Sequence, residues 1–235
     1  MNLILLSEED FLQEGVARLT GERAQHIIQT IRSEVGDTLT IGLINSLLGF
    51  GIVAALTSTT VILDVTLNSP PPAPLPLRLI LALPRPKVLR RTIAACAALG
   101  AKDLILLNSY RVEKSYWGSP LLQAEQLKNH LILGLEQGKD TQLPNIRFEK
   151  RFKPFVEDEL PLLLDNSTAL VAHPYTDSPC PKNSSGHITL VVGPEGGFIP
   201  YEIEKLAKIG FQSITLGQRV LKVETAIPFL LGKLF

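Results

Sequence analysis

A chain of 235 residues with 45% apolar and 20% charged residues has the composition of a folded globular protein, which excludes disorder and fibrous structure. Its 23 basic and 23 acidic residues cancel, so there is no global basic field to drive unspecific nucleic-acid binding. Two cysteines outside any C-x-x-C pair exclude a disulfide framework, and no apolar run approaches the roughly 20 residues of a membrane helix.

In chain order, the apolar run Leu3 to Leu6 stops at Ser7-Glu8-Glu9-Asp10. It has neither the basic start nor the length of a signal peptide, so a cytoplasmic chain is expected. An amphipathic helix is predicted around Arg23 to Ile31, then β-type runs at Leu39 to Leu43, Gly51 to Leu56 and Val61 to Thr66, separated by Gly36-Asp37 and Asn45 to Gly49. This pattern predicts a small β-rich barrel over residues 1–72, close to the lower size limit for independent stability. Ser69 to Pro76 holds five prolines in eight residues and reads as a stiff, extended linker. Charge shifts across it: 3 basic and 8 acidic residues up to Pro72, 20 and 15 beyond. A polyanion should therefore prefer the second part, residues 73–235.

There, buried-looking strands alternate with helices, the pattern of an α/β layer with a mostly parallel sheet. Strands are predicted at Arg78 to Leu83, Asp103 to Leu107, Ala169 to Ala172, Thr189 to Val192 and Ser213 to Leu216. Leu89, Ile93, Cys96 and Ala97 form one helical stripe, and a second helix is expected from Leu121 to Gln137. A third starts at Pro200 and stops at Gly210. The last runs from Thr225 to Leu234, with Pro228 tolerated because it falls in the first turn.

Chemistry concentrates after two of these strands. Leu190 to Phe198 runs from a strand into Gly193-Pro194-Glu195-Gly196-Gly197, where a ligand could approach the backbone. It lacks the G-x-G-x-x-G and G-K-[ST] spacings of nucleotide loops, and a tight turn without ligand is the plain alternative. The second segment is Leu216-Gly217-Gln218-Arg219-Val220-Leu221-Lys222-Val223-Glu224-Thr225-Ala226, whose plain reading is a solvated loop with a capping Glu or Thr. His173, Cys180 and His187 have no tetrahedral-site spacing, so no metal is expected.

Together the two segments resemble the SPOUT superfamily of S-adenosylmethionine-dependent RNA methyltransferases, and within it the 16S rRNA uracil-N3 methyltransferases of the RsmE type. The hallmark turns G-P-E-G-G-[FW] and L-G-x-R-[IV]-L-[RK]-x-E-T-A are both present. His26, Ile31-Arg32 and Gly36-Asp37 are similar to a stretch of the family's PUA-like barrel. The resemblance implies a C-terminal trefoil knot, a homodimer, and S-adenosylmethionine held by three loops, with S-adenosylhomocysteine as product. Those loops are Ala172-His173-Pro174, Gly193 to Gly197 including Pro194, Glu195 and Gly196, and Leu216-Gly217 with Val220, Leu221, Thr225 and Ala226. The glycines are expected to leave volume for the cofactor.

Uracil N3 is a poor nucleophile until its proton leaves, so the protein must stabilise an anionic base beside the methyl donor. Arg219 is expected to do so, since a guanidinium is permanently charged and can bond a planar anion twice. Glu195 or Glu224 could hold that arginine or accept the proton, while Glu224 could equally only favour the last helix's start. RNA contact is expected at Arg23, Arg32, Lys87, Arg90, Arg91, Arg111 and Lys114, with Arg85, Tyr116 and Trp117 beside them.

The chain also departs from the family. It reads Ala98-Leu99-Gly100 for E-L-G, Glu136-Gln137-Gly138-Lys139-Asp140 for E-Q-S-x-R, and Ile199-Pro200 where a Ser cap is usual. Another uridine or RNA as target, or a non-catalytic RNA-binding protein, are the rival readings. A nucleotide-dependent oxidoreductase lacks its phosphate fingerprint.

Overall fold

The computed structural model describes residues 2–164 and 166–235, which divide into two compact units: residues up to Ala73 with Ile132–Leu143, and Pro74–Leu131 with Pro144–Phe235.

The first unit is built on six strands: β1 (Ile4–Leu6), β2 (Phe11–Gln13), β3 (Val16–Thr20), β4 (Thr38–Leu43), β5 (Leu48–Leu56) and β6 (Thr60–Ser69). Their order is β1-β4-β5-β6-β3-β2, antiparallel except for the β1–β4 pair. Alternate residues point inward, as the period of a half-buried strand demands. Ala17 and Leu19, Leu39 and Ile41, Val61 and Leu63 meet Val53, Ile4 and Leu6 in one core. The three N-terminal strands were not anticipated: the apolar run at Leu3 to Leu6 is a buried strand of three residues, too short to show a period. The helix expected from Arg23 is a single α-helical turn, α1 (Gly21–Gln25), that widens into π-helix over His26–Ile31 and ends where Arg32 turns left-handed at φ 61°.

One boundary also differs from the sequence reading. Residues 132–143, the second half of a helix and its following loop, belong with the N-terminal strands: Glu136 accepts from Leu5 N at 3.3 Å, and Thr141 O accepts from Asn45 N at 2.8 Å. Burial is what raises the Glu136 carboxyl above its ordinary range, against the opposing pull of the Leu5 amide and Arg23.

The second unit carries an all-parallel sheet of β7 (Leu77–Ala82), β8 (Asp103–Leu107), β9 (Asn145–Glu149), β10 (Thr168–Ala172), β11 (Ile188–Val192) and β12 (Gln212–Ile214), ordered β12-β10-β11-β7-β8-β9. In β11 every residue is buried, which is why its sequence is apolar except for Thr189, whose hydroxyl pairs with that of Ser167 at 2.9 Å. β9 escaped prediction because it is an edge strand that alternates Ile146 and Phe148 with polar residues. The helices are α2 (Pro86–Ala98), α3 (Ala124–Gly138), α4 (Phe152–Pro154, continued by wider turns to Glu159), α5 (Pro200–Lys208) and α6 (Val223–Leu234). α2 buries Leu89, Ile93, Cys96 and Ala97 and packs against α6. Burial pushes the Cys96 thiol up to about 12, so it acts as an apolar core residue.

Pro228 is not in the first turn. α6 begins at Val223, which makes Pro228 an interior residue unable to donate to the Glu224 carbonyl. The buried stripe Ile227, Leu230, Leu231 and Leu234 holds the helix together despite that loss.

Candidate active site

Three parallel strands end beside one another, at Ala172 of β10, Val192 of β11 and Ile214 of β12, and the loops that leave them enclose a cavity of about 320 Å³. Clefts at the carboxyl ends of parallel strands are where open α/β sheets place ligands. The first loop supplies Ala172, His173, Pro174 and Tyr175; His173 N donates to Ile214 O at 2.9 Å, tying this loop to the third. Burial depresses the His173 imidazole below its ordinary value, so it is uncharged at neutral pH.

Gly193, Pro194, Glu195, Gly196 and Gly197 form the second wall. Gly197 N closes a turn on Pro194 O at 2.8 Å with Gly197 at φ 70°, a conformation that excludes ordinary side chains. The other two glycines line the cavity and also serve the protein's own packing. A Cβ on Gly193 would meet Phe198 Cδ2 at 3.2 Å, and one on Gly196 would meet Arg111 Cδ at 3.1 Å.

From the third loop Leu216, Arg219, Val220 and Leu221 face the cavity, and Ala226 joins them from α6. Gly217 and Thr225, expected here, are not among the lining residues; Gly217 shapes the loop instead, at φ 118°. Arg219 is exposed and makes no hydrogen bond or ion pair among the described residues. Neither carboxylate expected to hold it does so: Glu195 Oε1 accepts from Arg85 N at 3.1 Å, and Glu224 lies outside the lining as the second residue of α6. There its charge favours the helix start.

Arg111, read from sequence as an RNA contact, lines the same cavity and donates from its guanidinium to Gly196 O. Arg23 is committed elsewhere, with Nη1 and Nη2 on the two Asp10 oxygens at 2.8 and 2.6 Å. Burial alone would raise the Asp10 carboxyl, yet Arg23 and the Ser7 amide bring it below its ordinary value. Lys87, Arg90 and Arg91 are exposed on α2, Lys114 is exposed on the loop after β8, and Arg32 is exposed in the first unit. Trp117 is partly used for structure, since its Nε1 donates to Asn108 Oδ1 at 2.9 Å and its ring meets the edge of Phe148. Phe198 and Lys222, which belong to the two hallmark motifs, also line the cavity, as do Tyr175 and Leu230, which no local pattern marks.

The RNA methyltransferase domain family matches residues 71–234, which covers all three loops of the cavity. The chain belongs to that family. Among relatives of this RNA methyltransferase, the ribosomal RNA small subunit methyltransferase E of Treponema pallidum is 26% identical over 96% of this chain and 87% of its own. The corresponding enzyme 1 of Borreliella burgdorferi is 24% identical over 96% and 94%. A solved ribosomal RNA small subunit methyltransferase E from Neisseria gonorrhoeae, bound to S-adenosylmethionine, shares the fold with a TM-score of 0.73 at 19% identity, over 98% of this chain and 95% of that one. No described helix is long and apolar enough to cross a membrane.

Proposed function

We propose that this chain transfers the methyl group of S-adenosylmethionine to N3 of a uridine in the 16S rRNA of the small ribosomal subunit. The observation that carries the reading is the meeting of three strand-end loops around one cavity that presents Arg219, which has no partner among the described residues. The relatives' names agree with an rRNA target, and the Neisseria structure holds S-adenosylmethionine.

The cavity fits that cofactor chemically. Its volume of about 320 Å³ falls within the range of roughly 300–1,000 Å³ of small-molecule sites. Val192, Leu216, Leu221 and Leu230 offer apolar walls for a flat base, and the glycine turn offers main-chain groups. When bound, the cofactor supplies a methyl group already activated by the positive charge on its sulfur. The chain's own residues must do the rest. The N3 proton passes to Glu195, the carboxylate in the cavity lining, or to water, and Arg219 balances the negative charge left on uracil. His173, kept neutral, adds no charge that would repel the sulfonium.

This gives a pH prediction. The His173 pKa is lowered from 6.5, so the imidazole is neutral at pH 7.5 and gains its proton only as the pH falls through the lowered value. Below that point the affinity for S-adenosylmethionine should weaken by up to about tenfold per pH unit. In calorimetric titrations from pH 7.5 to 5, His173→Asn should lack this component; an identical profile for both proteins would refute it.

In this reading the first unit is a PUA-like RNA-binding barrel, supported by its mainly antiparallel sheet. The second unit is a trefoil-knotted SPOUT domain, supported by β12 adding beyond β10 rather than beside β11, so that the chain leaving β11 crosses over β10. The active form is a cytoplasmic homodimer, supported by Val220 and Phe229, which stand 69% and 52% exposed. RNA is taken by the exposed Lys87, Arg90, Arg91 and Lys114.

The test is methyl transfer from labelled S-adenosylmethionine to small ribosomal subunits from a strain lacking this protein, with mass spectrometry of the nucleosides. Appearance of 3-methyluridine is expected. Cofactor binding without transfer would move the target to another RNA, and no binding at all would favour the non-catalytic rival.

A further inference from the structure

One buried charged residue near the cavity has no role in the reaction as described. Glu202, the third residue of α5, is 2% exposed. Its Oε1 accepts from Tyr110 N at 2.7 Å and its Oε2 from Ile199 N at 3.0 Å. The second contact is half of a capping box. Ile199 stands at the N-cap, where its side chain has no acceptor, so the other half is missing and the side-chain part of the cap falls to Glu202.

The Tyr110 contact reaches further, because Tyr110 precedes Arg111. The Arg111 guanidinium bonds Gly196 O, and its Cδ lies 3.1 Å from where a Gly196 Cβ would sit, so the side chain is laid along the glycine turn. A closed circuit results: Glu202 holds the main chain of the loop after β8, that loop delivers Arg111 to Gly196, and the turn containing Gly196 leads back through Ile199 to Glu202. A guanidinium has five N–H donors. With one on Gly196 O, others remain for a ligand at the cavity.

We propose that Glu202 is a positioning residue for RNA: it fixes where Arg111 lies on the cavity wall, and Arg111 then binds the target nucleotide through its free donors. The proposal rests on the RNA methyl-transfer reading and deepens it. Glutamine at 202 keeps one acceptor oxygen but turns an amide NH₂ toward the other backbone N–H, so one arm of the circuit opens.

The experiment is a double-mutant cycle of Glu202→Gln and Arg111→Ala in the full chain, with KM for small subunits measured at saturating S-adenosylmethionine and cofactor affinity measured by calorimetry. Each single variant should raise KM for RNA about tenfold, with cofactor affinity within about threefold and kcat changed less than KM. The double variant should be no worse than Arg111→Ala alone. A Glu202 with a merely structural part would lower the melting temperature and leave KM unchanged, or multiply with Arg111→Ala; either result overturns the proposal. Should Glu202→Gln fail to fold, Glu202→Asp keeps the charge while reaching only one amide, and an unchanged KM there overturns it as well. A wild-type protein that binds RNA but transfers no methyl group refutes the transfer reading alone, and the cycle is then read from RNA dissociation constants. A wild-type protein that binds no RNA overturns both.

Discussion

Replacing Arg219 by alanine should cut methyl transfer by about 10²–10³-fold while leaving S-adenosylmethionine affinity within a few fold and the melting temperature nearly unchanged. All three expectations follow from where the residue sits. Its side chain lines the cavity, is exposed, and has no partner among the described residues, so its removal breaks no structural contact. Surface substitutions of that kind usually change stability by less than about 0.5 kcal/mol. The loss falls on the transition state, where uracil carries negative charge that a positioned guanidinium would otherwise balance. Arg219→Lys should recover part of the rate, because it keeps the charge but not the planar fork. Unchanged turnover of Arg219→Ala on small subunits would remove this residue from the mechanism.

The largest effect on folding is expected at Gly49. A Cβ there would stand 1.9 Å from Thr66 O, 2.8 Å from Thr66 C and 2.9 Å from Leu67 Cα, all main-chain atoms of the neighbouring strand β6. Main chain cannot rotate aside as a side chain can, so Gly49→Ala must push β5 and β6 apart, where the register is already irregular between Leu48 and Gly49. The cost should be about 3 kcal/mol or more, a large share of the stability of a unit this small. Gly51→Ala provides the contrast: the nearest atoms to its Cβ would be Ile41 Cδ1 at 3.3 Å and Leu63 Cβ and Cδ1 at 3.4 Å, side-chain atoms that need give only a few tenths of an ångström, and about 1 kcal/mol is expected. Thermal melts of both variants with hydrogen exchange of the β5 and β6 amides decide the matter; a Gly49→Ala protein that melts like wild type would contradict the strand spacing.

How much could be read in advance depended on the range of the signal. β7, β8, β10 and β11 were legible because strands covered on both faces become mostly apolar runs, each with a single polar residue here, and α2 because its buried residues recur at helical spacing. β1 and β2 were too short for periodicity, and β3 and β9 alternate like surface strands. Glu202 was hidden for a more specific reason: its usual marker is a Ser or Thr three residues earlier, and this chain has Ile199 there.

The sequence by itself determined the local units, namely the glycine turn after Val192, the arginine loop after Ile214, the linker prolines, and the family that these motifs resemble. Only the tertiary structure decided the company each unit keeps. It brought Arg111 into the cavity wall with Arg219, withdrew Arg23 into its pair with Asp10, detached Gly217 and Thr225 from the lining, and gave residues 132–143 to the N-terminal strands. The physical reason is that hydrophobic periodicity and turn chemistry specify which face of a segment is buried and where it bends. They carry no information about which distant segment will cover that face. That choice belongs to the order of strands in the sheet and to polar contacts such as Glu202 to Tyr110, which span 92 positions of chain.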